Sequence, residues 1–456
     1  MTIVGRFESC HLAGAAGPYA TYAQLRSSGP VLRTTDLFGG AWLLTTHEAV
    51  QAALRDPRLS ARRTGGWVMR NSMRGSERRR ELVGLQRLFA RAMLFVDKPS
   101  HPRLRQAMQA GFRPSAIEAL KPFVIGSVER LLDDMERTHA DRPCDFIECF
   151  ARVLPARIIA RLLGLFEVNA TEFLTWSSDL AAFIGASLPD EDQTERALCS
   201  IMAMGKYFER VLEDESSFSQ DGILRLLVQA QKSGQIEKGP ELLAQCAMLL
   251  FAGHETTRHF LGTSIYWLLR NRDAWDSIRA DPTLVKGAVR ELLRWDSPVQ
   301  YTGRRANCDL ELHGTKIRRG DLVLPLIGAA NRDPAEYADP DAIQIDRRSG
   351  MPLSFGSGPH VCIGAALTLM EAEVAIAAIV RRWPGLDVVP ESDNWIDSPL
   401  YRGMASLHLR LPPRPGRATR ATHAVQERSV LSGVLHEAEP HWNGGRVLTS
   451  LPLERT

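Results

Sequence analysis

The stretch from Pro240 to Arg270 constrains this chain more than any other. It reads as one long helix, and its first half, ELLAQCAMLLFAG, is apolar on nearly every side. A helix with no polar face has to be enclosed by other elements. Midway it carries AGHETT, Ala252 to Thr257. A carboxylate and two hydroxyls in such a helix need partners or a task, since burying the ionised group alone costs on the order of several kcal/mol. Two accounts stand side by side: threonines back-bonded to preceding carbonyls at a helix bend, or a site for chemistry.

Helical periodicity dominates from about residue 100 to 300, in RLRQAMQAGF, AIEALKPFVIGSVERLLDDMER, ARIIARLLGLF and TLVKGAVRELLRW. Before it, VLRTTDLFGGAWLLTT predicts a hairpin around Gly39 and Gly40, and HEAVQAALRD a helix. Strand alternation returns in ANCDLELHGTKIRRGDLVLPLIG, with turns at Gly314 and Gly320. The expected fold class is therefore mainly α with a smaller β portion. With 456 residues, 44% of them hydrophobic, the chain can bury a large core. Residues 1–411 are expected to form a single domain. From residue 412 the composition shifts to PPRPGRATRATHAVQERS, which predicts a largely disordered tail over 412–456. Residues 61–98 are arginine-rich with patchy periodicity and read as a connection.

A net charge of +3 on 24% charged residues gives no global attraction to nucleic acid or to acidic membrane. Seven cysteines without a CxxC pair form neither a disulfide framework nor a zinc site. The first residues, MTIVGRFESCHLAGAAGPYATY, lack the order of a signal peptide and the ~20 apolar residues of a spanning helix, so a cytoplasmic protein without a membrane anchor is expected.

One cysteine stands apart. FGSGPHVCIG, residues 355–364, sets Cys362 among glycines and prolines just before a helical run. A thiolate there would be stabilised by the unpaired N–H groups and positive dipole end of the helix. Glycines 356, 358 and 364 would let backbone approach a flat, bulky partner, and Phe355 would shield the sulfur. Only His360 accompanies Cys362 at metal-ligand spacing, which argues against zinc. A single thiolate is what an iron porphyrin needs on one axial side, because the macrocycle supplies four nitrogens.

The pattern F-G-x-G-x-H-x-C-x-G, met here by Phe355, Gly356, Gly358, His360, Cys362 and Gly364, resembles the cysteine-ligand loop of the cytochrome P450 family. AGHETT resembles that family's A-G-x-[DE]-T, and ELLR, Glu291 to Arg294, its E-x-x-R, with Arg347 at the position of a third, structural member. The resemblance implies haem b (iron protoporphyrin IX) held between the long central helix and the cysteine-bearing loop and helix. Cys362 would be the iron ligand. Glu255 would carry protons and Thr256 donate the local hydrogen bond, with Ala252 and Gly253 leaving room for dioxygen. His101, Arg105, Arg304 and His360 would clamp the propionates, Arg305 being an alternative to Arg304 by one residue.

The function implied is a monooxygenase that inserts one oxygen atom from O2 into a small, mostly apolar substrate, free or tethered to a carrier, in secondary metabolism. Electrons would come from a ferredoxin- or flavodoxin-type donor with its reductase, docking on a basic surface that includes Arg103. A peroxide-using enzyme and a non-catalytic haem-binding protein are the alternatives. Pocket walls are expected at Trp67, Val68 and Met69, at Phe183 and Ile184, at Met248 and Leu249, at Val299 and in residues 398–404.

Overall fold

The computed structural model describes residues 17–35, 40–63, 83, 87–186, 189–412 and 441–442. Trp67, Val68 and Met69, and nearly all of the C-terminal tail, lie outside them.

The central helix runs over Pro240–Arg270, with Pro240 in its first turn, where the missing N–H costs nothing. At a rise of about 1.5 Å per residue it crosses some ~45 Å of protein. Three helices, Val153–Leu163, Ala170–Gly185 and Glu191–Glu213, pack along it. Their ends are set locally. Asp190 closes a capping box with Gln193, and Gly164, at φ 88°, ends Val153–Leu163 in the left-handed conformation that glycine tolerates. Gln245, one of two polar residues in the apolar half of the central helix, is fully buried. It accepts from the Met93 N–H at 2.9 Å and donates to the Arg91 carbonyl at 2.8 Å, so its amide ties the chain before residue 100 to the core.

Beyond the cysteine, the helix Ala365–Arg382 packs on Pro114–Thr138 and on Val285–Trp295. One hydrophobic cluster extends from Phe89 to Leu411 across all these helices. The β portion is a five-stranded sheet, in spatial order Val31–Thr34, Ala41–Leu44, Leu322–Pro325, Arg304–Ala306, Leu59–Ser60. Its first two strands are the expected antiparallel hairpin, with Thr34 opposite Ala41. Smaller pairings include Leu310–Leu312 with Thr315–Ile317, turning through Gly314 at φ 75°. The mainly helical fold with a smaller β portion is thus as expected. Among the described residues no helix is long and apolar enough to cross a membrane.

Candidate active site

The loop before Ala365–Arg382 folds back on itself. The Cys362 N–H donates to the Phe355 carbonyl at 2.9 Å, and the Gly356 N–H to the Leu353 carbonyl at 2.7 Å. Gly356 and Gly358 have φ of 74° and 73°, which a side chain would strain. The reason for glycine at 358 differs from the expected one. A Cβ there would come within 2.9 Å of the Leu54 carbonyl, at the end of the helix His47–Arg55, so the close approach is to that helix. Gly364, at φ −88°, is under no such pressure.

Cys362 is set deep in the protein but is exposed to a cavity of about 500 Å³ that it helps to line, within the range of ligand pockets. Burial pushes the thiol up, opposed by the Gly364 N–H and the Arg105 cation. Bringing a metal to the sulfur would reverse this by deprotonating it.

Across the cavity from Cys362, the central helix presents Ala252, Gly253 and Thr256. The Thr256 hydroxyl donates to the Ala252 carbonyl at 3.0 Å, so the back-bonded geometry is realised at the residue that also faces the cavity. Glu255 does not line the cavity. One position along the helix turns the side chain by about 100°, and Glu255 enters a buried cluster instead. Ser178 donates to its Oε1 at 3.1 Å and Arg258 to its Oε2 at 3.1 Å, with His254 Nδ1 at 3.1 Å and His259 Nε2 at 3.6 Å. Burial alone would push this carboxyl up, but Arg258, His254 and His259 outweigh it and hold it well below the ordinary carboxylate range. Gly253 has a packing reason of its own, since a Cβ would meet Ile159 Cδ1 at 2.8 Å.

At one edge of the cavity the four expected clamp residues meet. The His101 and His360 rings lie 4.0 Å apart between centroids. Arg105 donates to the Val361 carbonyl at 2.8 Å, and Arg304 to the Gly303 carbonyl at 2.9 Å. Arg304 is buried, and Arg305, the next residue along the strand, also lines the cavity and donates to the Gly320 carbonyl. Burial, His101 and Arg304 push His360 down to about 3, and burial with Arg105 lowers His101. The carboxylate beside them is Asp97, 4.0 Å from His360 and accepting from the Ala61 N–H at 2.9 Å. Asp97 sits in a stretch without periodicity, so no local signal marks it. The edge is a cationic concavity with one acid, and two further carboxylates would be welcome there.

Behind the cysteine loop, Arg294 and Glu291 form a buried bidentate pair at 2.7 and 2.8 Å. Arg347 Nε donates to the same carboxylate at 3.1 Å, and the Gln344 N–H at 2.9 Å. Arg294 spends its other N–H groups on the Asn331, Pro340 and Ala342 carbonyls. Every charge is paired, which is the condition for such a network to hold.

A model of the cytochrome P450 family matches residues 70–397. The chain belongs to the cytochrome P450 family. It is 35% identical over 401 residues to the cytochrome P450 monooxygenase PikC of Streptomyces venezuelae, covering 87% of this chain and 91% of that one. To the biotin biosynthesis cytochrome P450 of Bacillus subtilis it is 31% identical over 384 residues, 84% and 93% of the two chains. Among solved structures, P450BioI in complex with an acyl carrier protein ligated to hexadec-9Z-enoic acid superposes with a TM-score of 0.79 at 28% identity, over 89% of this chain and 99% of that one. The tirandamycin C-bound monooxygenase TamI gives 0.77 at 32%, over 90% and 100%. The protein is accordingly a haem-thiolate monooxygenase, an oxidoreductase whose cofactor is haem b. The residues present fit that group: one thiol on one wall, small residues and a hydroxyl opposite, and cations at one edge.

Of the expected substrate walls, Ile184, Met248, Leu249, Val299, Leu400 and Tyr401 line this P450's cavity, whereas Phe183 is packed into the core. Phe95, Ile159, Tyr301 and Arg63 also line it and were not expected. Arg103 does not offer a free cation for docking. It is paired with Glu241, Nη1 to Oε2 at 2.9 Å.

Proposed function

We propose that this P450 inserts one oxygen atom of O2 into an apolar organic substrate, by hydroxylation or epoxidation, using electrons from a separate ferredoxin- or flavodoxin-type protein. The observation that carries this reading is the pairing across one cavity of Cys362 with Ala252, Gly253 and Thr256 beneath a mostly apolar wall. When bound, the haem supplies reductive activation of dioxygen, with electron push from the thiolate of Cys362. His101, Arg105, Arg304 and His360 would hold its propionates, and Phe355, Gly356 and Gly364 would lie against its cysteine side.

The chain's own groups then have three tasks. Ile184, Met248, Leu249 and Val299 orient a substrate and exclude water. Thr256 Oγ1, already donating to the Ala252 carbonyl, keeps its lone pairs for an incoming proton donor and positions that proton at the oxygen site. Glu255 is the carrier. In the structure Arg258, His254 and Ser178 hold it ionised away from the cavity lining, so carrying a proton to Thr256 requires its side chain to leave those contacts, take up the proton and turn toward Thr256.

The substrate is free or carrier-tethered; the P450BioI complex supports the second as a possibility within the family. The cluster from Phe89 to Leu411 supports reading residues 1–411 as one domain, and we place the protein in the cytoplasm. Thr256→Ala tests the relay. Electron consumption should continue while product per electron pair falls and peroxide rises, and unchanged coupling would remove Thr256 from the role.

A further inference from the structure

Arg63 is the residue that the account so far leaves unused. It follows the edge strand Leu59–Ser60 and reaches into the cavity, its guanidinium carbon 4.7 Å from the centre of the Phe95 ring. Its stem passes so close to Gly303 that a Cβ there would meet Arg63 Cδ at 2.6 Å, so glycine at 303 makes the passage. The hydrogen bond it makes is weak, Nη1 to the Ala61 carbonyl at 3.4 Å. Among the described residues no carboxylate pairs with it. The ionisable groups that act on it are Arg304, another cation, and the phenols of Tyr401 and Tyr301. Burial and Arg304 push it down to about 9, so it is charged at neutral pH. Of the two acids that line the cavity among the described residues, Asp321 accepts from Trp42 Nε1 at 2.8 Å, and Glu371 on the cysteine helix is kept protonated by burial.

An arginine enclosed without a counter-ion carries a desolvation cost that an anionic ligand removes. The two phenols sharpen the choice of ligand. Burial pushes both above the ordinary tyrosine range, so both hydroxyls stay protonated and can donate. Tyr401 also packs on His259 of the central helix, ring centroids 5.7 Å apart, while Arg63 acts on His360 as well as on Arg304, so this corner lies between the central helix and the cationic edge.

Resting on the monooxygenase reading above, we propose that Arg63, flanked by Tyr301 and Tyr401, binds the carboxylate of a free, otherwise apolar organic acid and so orients it in the substrate space. A substrate tethered through a thioester has no carboxylate at that end. The other source of the same chemistry is a haem propionate, which the experiment separates.

Dodecanoic acid and its methyl ester are titrated calorimetrically into ferric holoenzyme of the wild type and of Arg63→Met, Arg63→Lys and Gly303→Ala. The acid should bind the wild type at least about tenfold more tightly than the ester, the scale of one charge-assisted hydrogen-bonded contact. Arg63→Met should erase that preference by weakening the acid alone, and Arg63→Lys should keep part of it. Gly303→Ala, which displaces the stem and leaves the charge, should weaken the acid as Arg63→Met does. Equal affinity for acid and ester in the wild type overturns the proposal. So does an unchanged preference in Arg63→Met, and if that variant also loses haem faster to apomyoglobin, Arg63 serves a propionate. The carbon monoxide spectrum of the same ferrous samples reports on the thiolate site independently, so a failure of the underlying reading shows there and not in the acid–ester contrast.

Discussion

The two walls of the cavity are built in opposite ways. The cysteine wall is local: ten consecutive residues, Phe355 to Gly364, close on themselves through the Cys362-to-Phe355 hydrogen bond and rest on a paired ionic network. The facing wall is assembled from distant stretches, Phe95, Ile159, Ile184, Met248, Val299 and Tyr401 among them, which meet through apolar contact. The first wall is specified by hydrogen bonds that tolerate few substitutions. The second is specified by shape, which many side chains satisfy. The sulfur ligation common to the family belongs to the first, whereas the second carries both the family's Ala252, Gly253 and Thr256 and the apolar stretches that choose the substrate.

Breaking the support of the cysteine wall should have the largest effect. Arg294→Ala leaves Glu291 buried with only Arg347 and the Gln344 N–H and strips the Asn331 and Pro340 carbonyls of their Arg294 donor, so it should cost about 3–5 kcal/mol of stability and most haem retention. Denaturant unfolding and the haem-to-protein ratio measure both. On the facing wall, Met248→Ala should weaken an apolar ligand by only about 1–2 kcal/mol while haem retention stays as in the wild type, which calorimetry on the same preparations checks. The smallest effect concerns Glu255. Its native value lies below its unfolded one, so its stabilisation is complete above the unfolded carboxylate range and is lost as pH falls through the native value. The stability gap between wild type and Glu255→Gln should therefore be constant above about pH 5 and close progressively in acid.

The same contrast explains what could be read in advance. Pro240–Arg270 was recoverable to the residue because an apolar run bounded by Pro240 is a local signal. The cysteine loop was recoverable because it closes on itself within ten residues, whereas Glu291–Arg294 is by itself only an i,i+3 pair and took its meaning from the family resemblance. Arg347 was found only through the family resemblance. Arg63 and Asp97 carry no periodicity, and their meaning depends on residues such as Gly303 and His360, more than 200 positions away. Glu255 shows a subtler gap. Helix geometry alone turns adjacent residues apart, yet reading Glu255 and Thr256 as a contiguous motif put both at the cavity, where only Thr256 stands. Gly358 was recognised as necessary, but for contact with a bound partner and not with the helix that ends at Arg55.

The account turns on sulfur ligation at the cysteine wall, and the carbon monoxide difference spectrum of the dithionite-reduced protein tests it most directly. The wild type should show the absorbance of thiolate-ligated haem, and Cys362→Ser should lose it. A colourless wild type from haem-replete cells, or an unaltered band in Cys362→Ser, would contradict it.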